Sequence, residues 1–132
     1  MSVEFVDTNI VIYSLSENAA KRRKALEILA RKPVISIQVL NEAANTMRRK
    51  LAFDIPAIRQ FLMDLMRESR LHSISPVTVF AALVVAERYG FSHYDSLIVA
   101  TALDAECATL YSEDMQHGQL IDGRLTVINP SR

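Results

Sequence analysis

The stretch Val3-Glu4-Phe5-Val6-Asp7-Thr8-Asn9-Ile10-Val11 decides the fold. Val3 to Val6 is short and rich in β-formers and reads as a strand. A lone acid closes it, and a turn of helix carrying Ile10, Val11 and Tyr13 begins near Thr8. The same change of period recurs down the chain. Ser16-Glu17-Asn18 is a loop and cap, and Ala19 to Ala30 an amphipathic helix built on Ala25, Leu26, Ile28 and Leu29. Pro33 ends it, Val34-Ile35-Ser36 is a second strand, and a helix runs from about Gln38 to Leu51. Asp54-Ile55-Pro56 starts the next, with Asp54 as cap and a stripe of Ile58, Phe61, Leu62, Leu65 and Met66. Leu71 to Ile74 is a third strand, Ser75-Pro76 opens another helix, and Gly90 stops it. Ser92-His93-Tyr94-Asp95 has the spacing of a capping box, with Asp in place of Glu or Gln, before an apolar helix to about Ala105. Ala108 to Ser112 and Leu125 to Ile128 are the fourth and fifth strands. Strands alternating with helices predict a mainly parallel sheet of four or five strands, covered on both faces.

The 132 residues suit one domain over residues 1–132, and a hydrophobic fraction of 50% supplies its core. No apolar run approaches the ~18–20 residues of a membrane span. The N-terminus lacks a basic start, a long apolar region and a small-residue cleavage site, so a cytoplasmic protein with no membrane role is expected. Cys107 has no partner for a disulfide and reads as a small core residue. Net charge is zero, but residues 1–50 hold nine Lys/Arg against five Asp/Glu, and residues 51–132 six against ten. This excludes a generally basic nucleic-acid coat protein and leaves room for a local basic surface near an acidic centre. The run Lys21-Arg22-Arg23-Lys24 reads first as a solvated helix surface, with phosphate or partner contact as the sharper alternative.

Asp7, Glu42, Asp95 and Asp114 each stand in apolar or small-residue surroundings. A carboxylate beside a core segment is costly unless compensated. Each has a structural explanation: Asp7 and Asp114 as caps, Asp95 as a first-turn helix acid, Glu42 as a partner of Arg48 or Arg49. Together they form a pattern. Asp7 and Asp114 follow strands, Glu42 and Asp95 lie near helix starts, and in parallel folds these positions share the carboxyl edge of the sheet. Gathered there, their mutual repulsion calls for a divalent cation, and oxygen ligands suit Mg²⁺ or Mn²⁺, one or two per site. Such a site leaves room for water and a phosphate oxygen, the requirement for phosphoester hydrolysis. No glycine-rich phosphate loop competes, and His72, His93 and His117 have no zinc-ligand spacing.

Four blocks carry a family resemblance: Val6 to Val11, Ser36 to Glu42, Tyr94 to Ala102, and Leu110 to Asp114. In this order the chain resembles PIN-domain ribonucleases, and among them the VapC-type toxins of toxin–antitoxin modules. The resemblance implies a three-layer α/β/α fold and hydrolysis of RNA dependent on Mg²⁺ or Mn²⁺. It implies that Asp7, Glu42, Asp95 and Asp114 form the catalytic site, with Asp7, Asp95 and Asp114 as metal ligands and Glu42 acting directly or through water. Asn9 and Ser112 match positions of polar support, and Arg48, Arg49 and Lys50 are candidates for RNA or antitoxin contact. A homodimer held inactive by a cognate antitoxin is implied as well. Glu113 adjoins Asp114 and remains an alternative donor, although Ser112-Glu113-Asp114 matches the family's Thr/Ser-x-Asp with Asp114 in place.

Other readings fit less well. A haloacid-dehalogenase-type phosphatase needs a second Asp two residues after the first, where this chain has Asn9. A receiver domain needs a late Lys, and none occurs from Ala108 onward. An RNA-processing nuclease without a toxin role and a non-catalytic PIN-fold binding protein remain open alternatives.

Overall fold

The computed structural model describes residues 2–132. Its elements are β1 (Glu4–Val6), α1 (Thr8–Tyr13), α2 (Ala19–Leu29), β2 (Val34–Ser36), α3 (Ile37–Arg49), α4 (Ile55–Arg67), β3 (Arg70–His72), α5 (Pro76–Tyr89), α6 (His93–Asp104), β4 (Thr109–Tyr111), β5 (Leu120–Ile121) and β6 (Leu125–Ile128). The sheet order is β3-β2-β1-β4-β6-β5, with every pairing parallel except β5 to β6. The expected three-layer α/β/α architecture is present, with one strand more than the sequence reading. The extra strand is the two-residue edge β5, joined to β6 through Asp122 (φ 52°) and Gly123 (φ 66°). Two successive left-handed residues make the tight hairpin turn that Asp-Gly favours.

The order of strands places the site. From β1 the chain moves outward to β2 and then β3, and both crossovers lie on one face. It then returns past β1 to β4, so α5 and α6 cover the other face, as the right-handed rule requires. The packing agrees: α1 rests on α2 and α3, α3 on α4, and α5 on α6. Winding therefore reverses between β1 and β4, where Val6 lies opposite Tyr111. The crevice beyond the carboxyl ends of such a strand pair is where doubly wound sheets bind ligands.

The core is the sheet interior together with α6. Phe5, Val6, Ile35, Leu110 and Val127 are fully buried, and α6 is buried continuously from Ser96 to Leu103. A helix apolar on all sides can stand only where its neighbours enclose it, here the sheet and α5. The two buried hydroxyls of α6 are satisfied locally, Thr101 Oγ1 donating to the Leu97 carbonyl at 2.7 Å and Ser96 Oγ to that of Phe91 at 3.5 Å. Cys107 is buried, and burial pushes its thiol up to about 11, which makes it an inert core residue. Met47 is in the core, whereas Met63 and Met66 are exposed on α4. Among the described residues no helix is long and apolar enough to cross a membrane.

Candidate metal centre

Local capping rules deliver each acid to the crevice. Asp7 is the N-cap of α1, its Oδ1 accepting from the Thr8 amide at 2.7 Å. Its second oxygen accepts from Ser112 Oγ at 2.9 Å, one residue past β4. Ser112 Oγ in turn accepts from the Asp114 amide at 3.2 Å, which fixes the loop carrying Asp114. Asn9 Nδ2 donates to both Asp114 oxygens at 3.1 Å. Asp95 reaches the site because only half of the capping box forms. Ser92 Oγ accepts from the Asp95 amide at 3.2 Å, and the Asp95 carboxylate lies instead with the other acids.

Asp7, Asp95 and Asp114 each offer a carboxylate oxygen, all within 4.8 Å of one another. Glu42 lines the same cleft of about 270 Å³, accepting from Thr8 Oγ1 at 2.7 Å and from Gln38 Nε2 at 3.4 Å. None of the four makes an ion pair among the described residues, so the expected alternative of a Glu42 pair with Arg48 or Arg49 does not form. Burial pushes the Asp7 carboxyl up to about 6, against the pull of the Ser112 and Thr8 hydrogen bonds and with Asp114 and Glu42 adding repulsion. Asp95 is raised in the same direction, first by burial and then by Asp114 and Glu42. Three hard oxygen donors and no neutralising side chain fit a divalent cation, and a cation is what would reverse these shifts.

Glu113 is turned away. It accepts hydrogen bonds from Tyr13 Oη and Ser131 Oγ. Burial alone would raise its carboxyl, but those bonds and the nearby Lys21 hold it below the usual range. Asn9 and Ser112, expected as polar support, hydrogen-bond to Asp114 and Asp7 respectively. Arg48, Arg49 and Lys50 do not line the cleft and are exposed on the last turn of α3 and just beyond it. Three residues of the run from Lys21 to Lys24 contact the fold, and Arg23 is exposed: Lys21 sits 4.5 Å over the Tyr13 ring, Arg22 donates to the Ser16 carbonyl and Lys24 to that of Pro130, both at 2.7 Å. Thr8 and Gln38 are contributors that the sequence reading passed over. Gln38 lies four residues before Glu42 and so on the same helical face, which is the signal that identifies it.

A family model for the PIN domain matches residues 5–120. No curated protein sequence matches the chain at a significant level. Several solved structures share its fold. A toxin–antitoxin complex from Klebsiella pneumoniae contains a chain 23% identical, with a TM-score of 0.71 over 98% of each chain. VapBC2 from Rickettsia felis, bound to a DNA fragment from its promoter, gives 19% and 0.69 over 96% of this chain and 99% of the other. The sarcin-ricin-loop-cleaving toxin VapC20 from Mycobacterium tuberculosis gives 20% and 0.64 over 83% and 88%.

Proposed function

The chain belongs to the PIN domain family, and from that premise we propose that it is a divalent-metal-dependent endoribonuclease, the toxin of a type II toxin–antitoxin pair acting in the cytoplasm. The observation that carries the reading is the convergence of Asp7, Asp95 and Asp114 within 4.8 Å at the strand reversal. These three residues would hold Mg²⁺ or Mn²⁺. When bound, the cation polarises the scissile phosphate and lowers the pKa of water. The protein's own groups hold that arrangement in place. Thr8 and Ser112 fix one orientation of Asp7, and Asn9 fixes Asp114. Thr8 Oγ1 and Gln38 steady Glu42, which faces the same cleft and would accept a proton from water or hold that water in place. The site falls within residues 1–132, which we treat as one domain.

Two features support the toxin role: the likeness in fold to chains of toxin–antitoxin complexes, and to a sarcin-ricin-loop-cleaving toxin. A cognate antitoxin and a second copy of the chain are the partners this implies. Val77, Phe80, Leu83 and Val84 expose an apolar face on α5 that suits the second copy. Arg48, Arg49 and Lys50 would contact RNA phosphates or the antitoxin. The test is expression in a bacterial host. Wild-type chain should arrest growth and leave new RNA ends, Asp114→Asn should do neither, and co-expression of the antitoxin should relieve the arrest. Growth unaffected by a protein that cleaves RNA in vitro would assign it to RNA processing instead.

A further inference from the structure

We infer that Asn45 and Arg49 extend the α3 wall of the acidic centre into a subsite for a backbone phosphate of the RNA, next to the phosphate that is cut. The inference rests on the ribonuclease reading and names the residues that hold the strand beside the scissile bond. Helix α3 supplies its wall of the acidic cleft through Gln38, Glu42, Asn45 and Thr46. A helix turns by about 100° per residue, so these four fall within an arc of about 100°. The far side of α3 is fixed against the core by Val39, Ala43 and Met47. Arg49 follows Glu42 by seven residues and lies about 20° from it, near the middle of the cleft arc. Arg48 lies about 100° from Arg49 on one side, and Lys50, the C-cap, about 100° on the other. Of the three consecutive cations, only Arg49 continues the wall.

Its distance suits a neighbouring phosphate. Seven residues of helix carry Arg49 about 10.5 Å beyond Glu42 along the axis. The Cα–Cβ bond of a helical residue tilts towards the helix N-terminus, so the Arg49 stem starts back towards Asn45 and the cleft. Both side chains are exposed, and neither makes a hydrogen bond or an ion pair among the described residues. Their neighbours in the wall are committed: Gln38 donates to the Tyr94 carbonyl and to Glu42, and Glu42 also accepts from Thr8.

The charge of the centre makes such donors necessary. Asp7, Glu42, Asp95 and Asp114 consume the charge of a bound cation, which leaves nothing to attract the rest of a polyanion. Phosphate oxygens are acceptors only. The Asn45 amide offers them two N–H donors, and the Arg49 guanidinium offers a planar fork with a full positive charge. Contacts of this kind fix the register of the strand and carry no sequence information.

Fluorescence anisotropy with a short labelled single-stranded RNA tests this by binding alone. Ca²⁺ replaces Mg²⁺ to suppress turnover, and gels verify that the RNA stays intact. Arg49→Ala should bind about tenfold more weakly and flatten the slope of log K against log[salt] by about 0.7, the share of one phosphate on a single strand. Arg49→Lys should restore the slope. Asn45→Ala should weaken binding about three- to tenfold, the loss of a hydrogen bond, and leave the slope unchanged. Arg48→Ala should cost less than Arg49→Ala, and Arg124→Ala, in the β5–β6 turn at the opposite edge of the sheet, should match wild type. Full affinity in Arg49→Ala or in Asn45→Ala, or an equal loss in Arg48→Ala, overturns the inference. Arg49→Ala that keeps its RNA affinity and loses only the antitoxin overturns it in favour of a protein contact. RNA cleaved in Mn²⁺ with no dependence on Arg49 removes the subsite alone. RNA bound through Arg49 but never cleaved keeps the subsite and removes the nuclease reading instead.

Discussion

At the scale of single residues, the centre is a set of acids held by specific donors. Asn9→Ala or Ser112→Ala removes an orienting bond and should reduce metal affinity or RNA cleavage by about 10–100-fold, the usual cost of losing a partner that orients a metal ligand. Replacing a proposed ligand, as in Asp114→Asn, should cost more, while Glu113→Gln should stay near wild type because Tyr13 and Ser131 hold Glu113 away from the cleft. Rates measured under equal Mn²⁺ check both. Asp7 also ties function to stability. Its carboxyl titrates near about 6 in the fold against an ordinary value of 3.8, so the folded state binds this proton more tightly than the unfolded chain does. Below about pH 4 the group costs nothing. The penalty grows as pH rises towards 6 and is complete above it, at about 3 kcal/mol. In EDTA at pH 7, Asp7→Asn should therefore be more stable than wild type by about 1–3 kcal/mol, a gain that shrinks towards pH 4. Urea titrations at the two pH values measure it, and Mn²⁺ should stabilise wild type but not the variant.

At the scale of elements, helix caps make much of this fold legible in the sequence. Asp54, Ser92 and Gly90 mark helix ends, and each does so in the structure, Gly90 in the left-handed conformation at φ 75°. Asp7, Asp95 and Asp114 were legible for the same reason, since an acid at an element boundary in an apolar setting is conspicuous. Strand β5 was not read because two residues carry no periodicity, although Asp122-Gly123 was its turn signal. Strand β3 was expected at Leu71 to Ile74 and runs Arg70–His72, since pairing with β2 rather than local apolarity sets its register. Thr8 and Gln38 were missed because hydroxyl and amide side chains are common, and only the closeness of α1 to α3 gives them a role. Helix α6 joins core to site through Ile98, which is 1% exposed and also lines the acidic cleft. Ile98→Ala should cost about 2–5 kcal/mol in unfolding free energy, with a cavity opening beneath Asp95. Calorimetry of cation-free protein reads this loss apart from catalysis.

At the scale of the whole molecule, the sheet brings together residues that lie over 100 positions apart. Asp7 and Ser112 meet because β1 and β4 are neighbours, and they are neighbours because the chain reverses its winding between them. Some of the basic side chains make contacts within the fold. Arg31 is paired with Glu4, Arg88 with Asp122, and Lys24 with the Pro130 carbonyl. The apolar face of α5 lies on the side of the sheet away from α1 to α4, where a second copy would leave those helices uncovered. Val84→Glu should therefore shift a dimer to monomer in sedimentation velocity while leaving the fold intact. The central claim is that Asp7, Asp95 and Asp114 together make one cation-dependent RNA-cleaving centre. Its most direct test is cleavage of a defined RNA by purified protein, comparing wild type with Asp95→Asn in Mn²⁺ and in EDTA. Cleavage by wild type in Mn²⁺ alone, lost in EDTA and in the variant, is the predicted result. Equal cleavage by Asp95→Asn, or undiminished cleavage in EDTA, would contradict it.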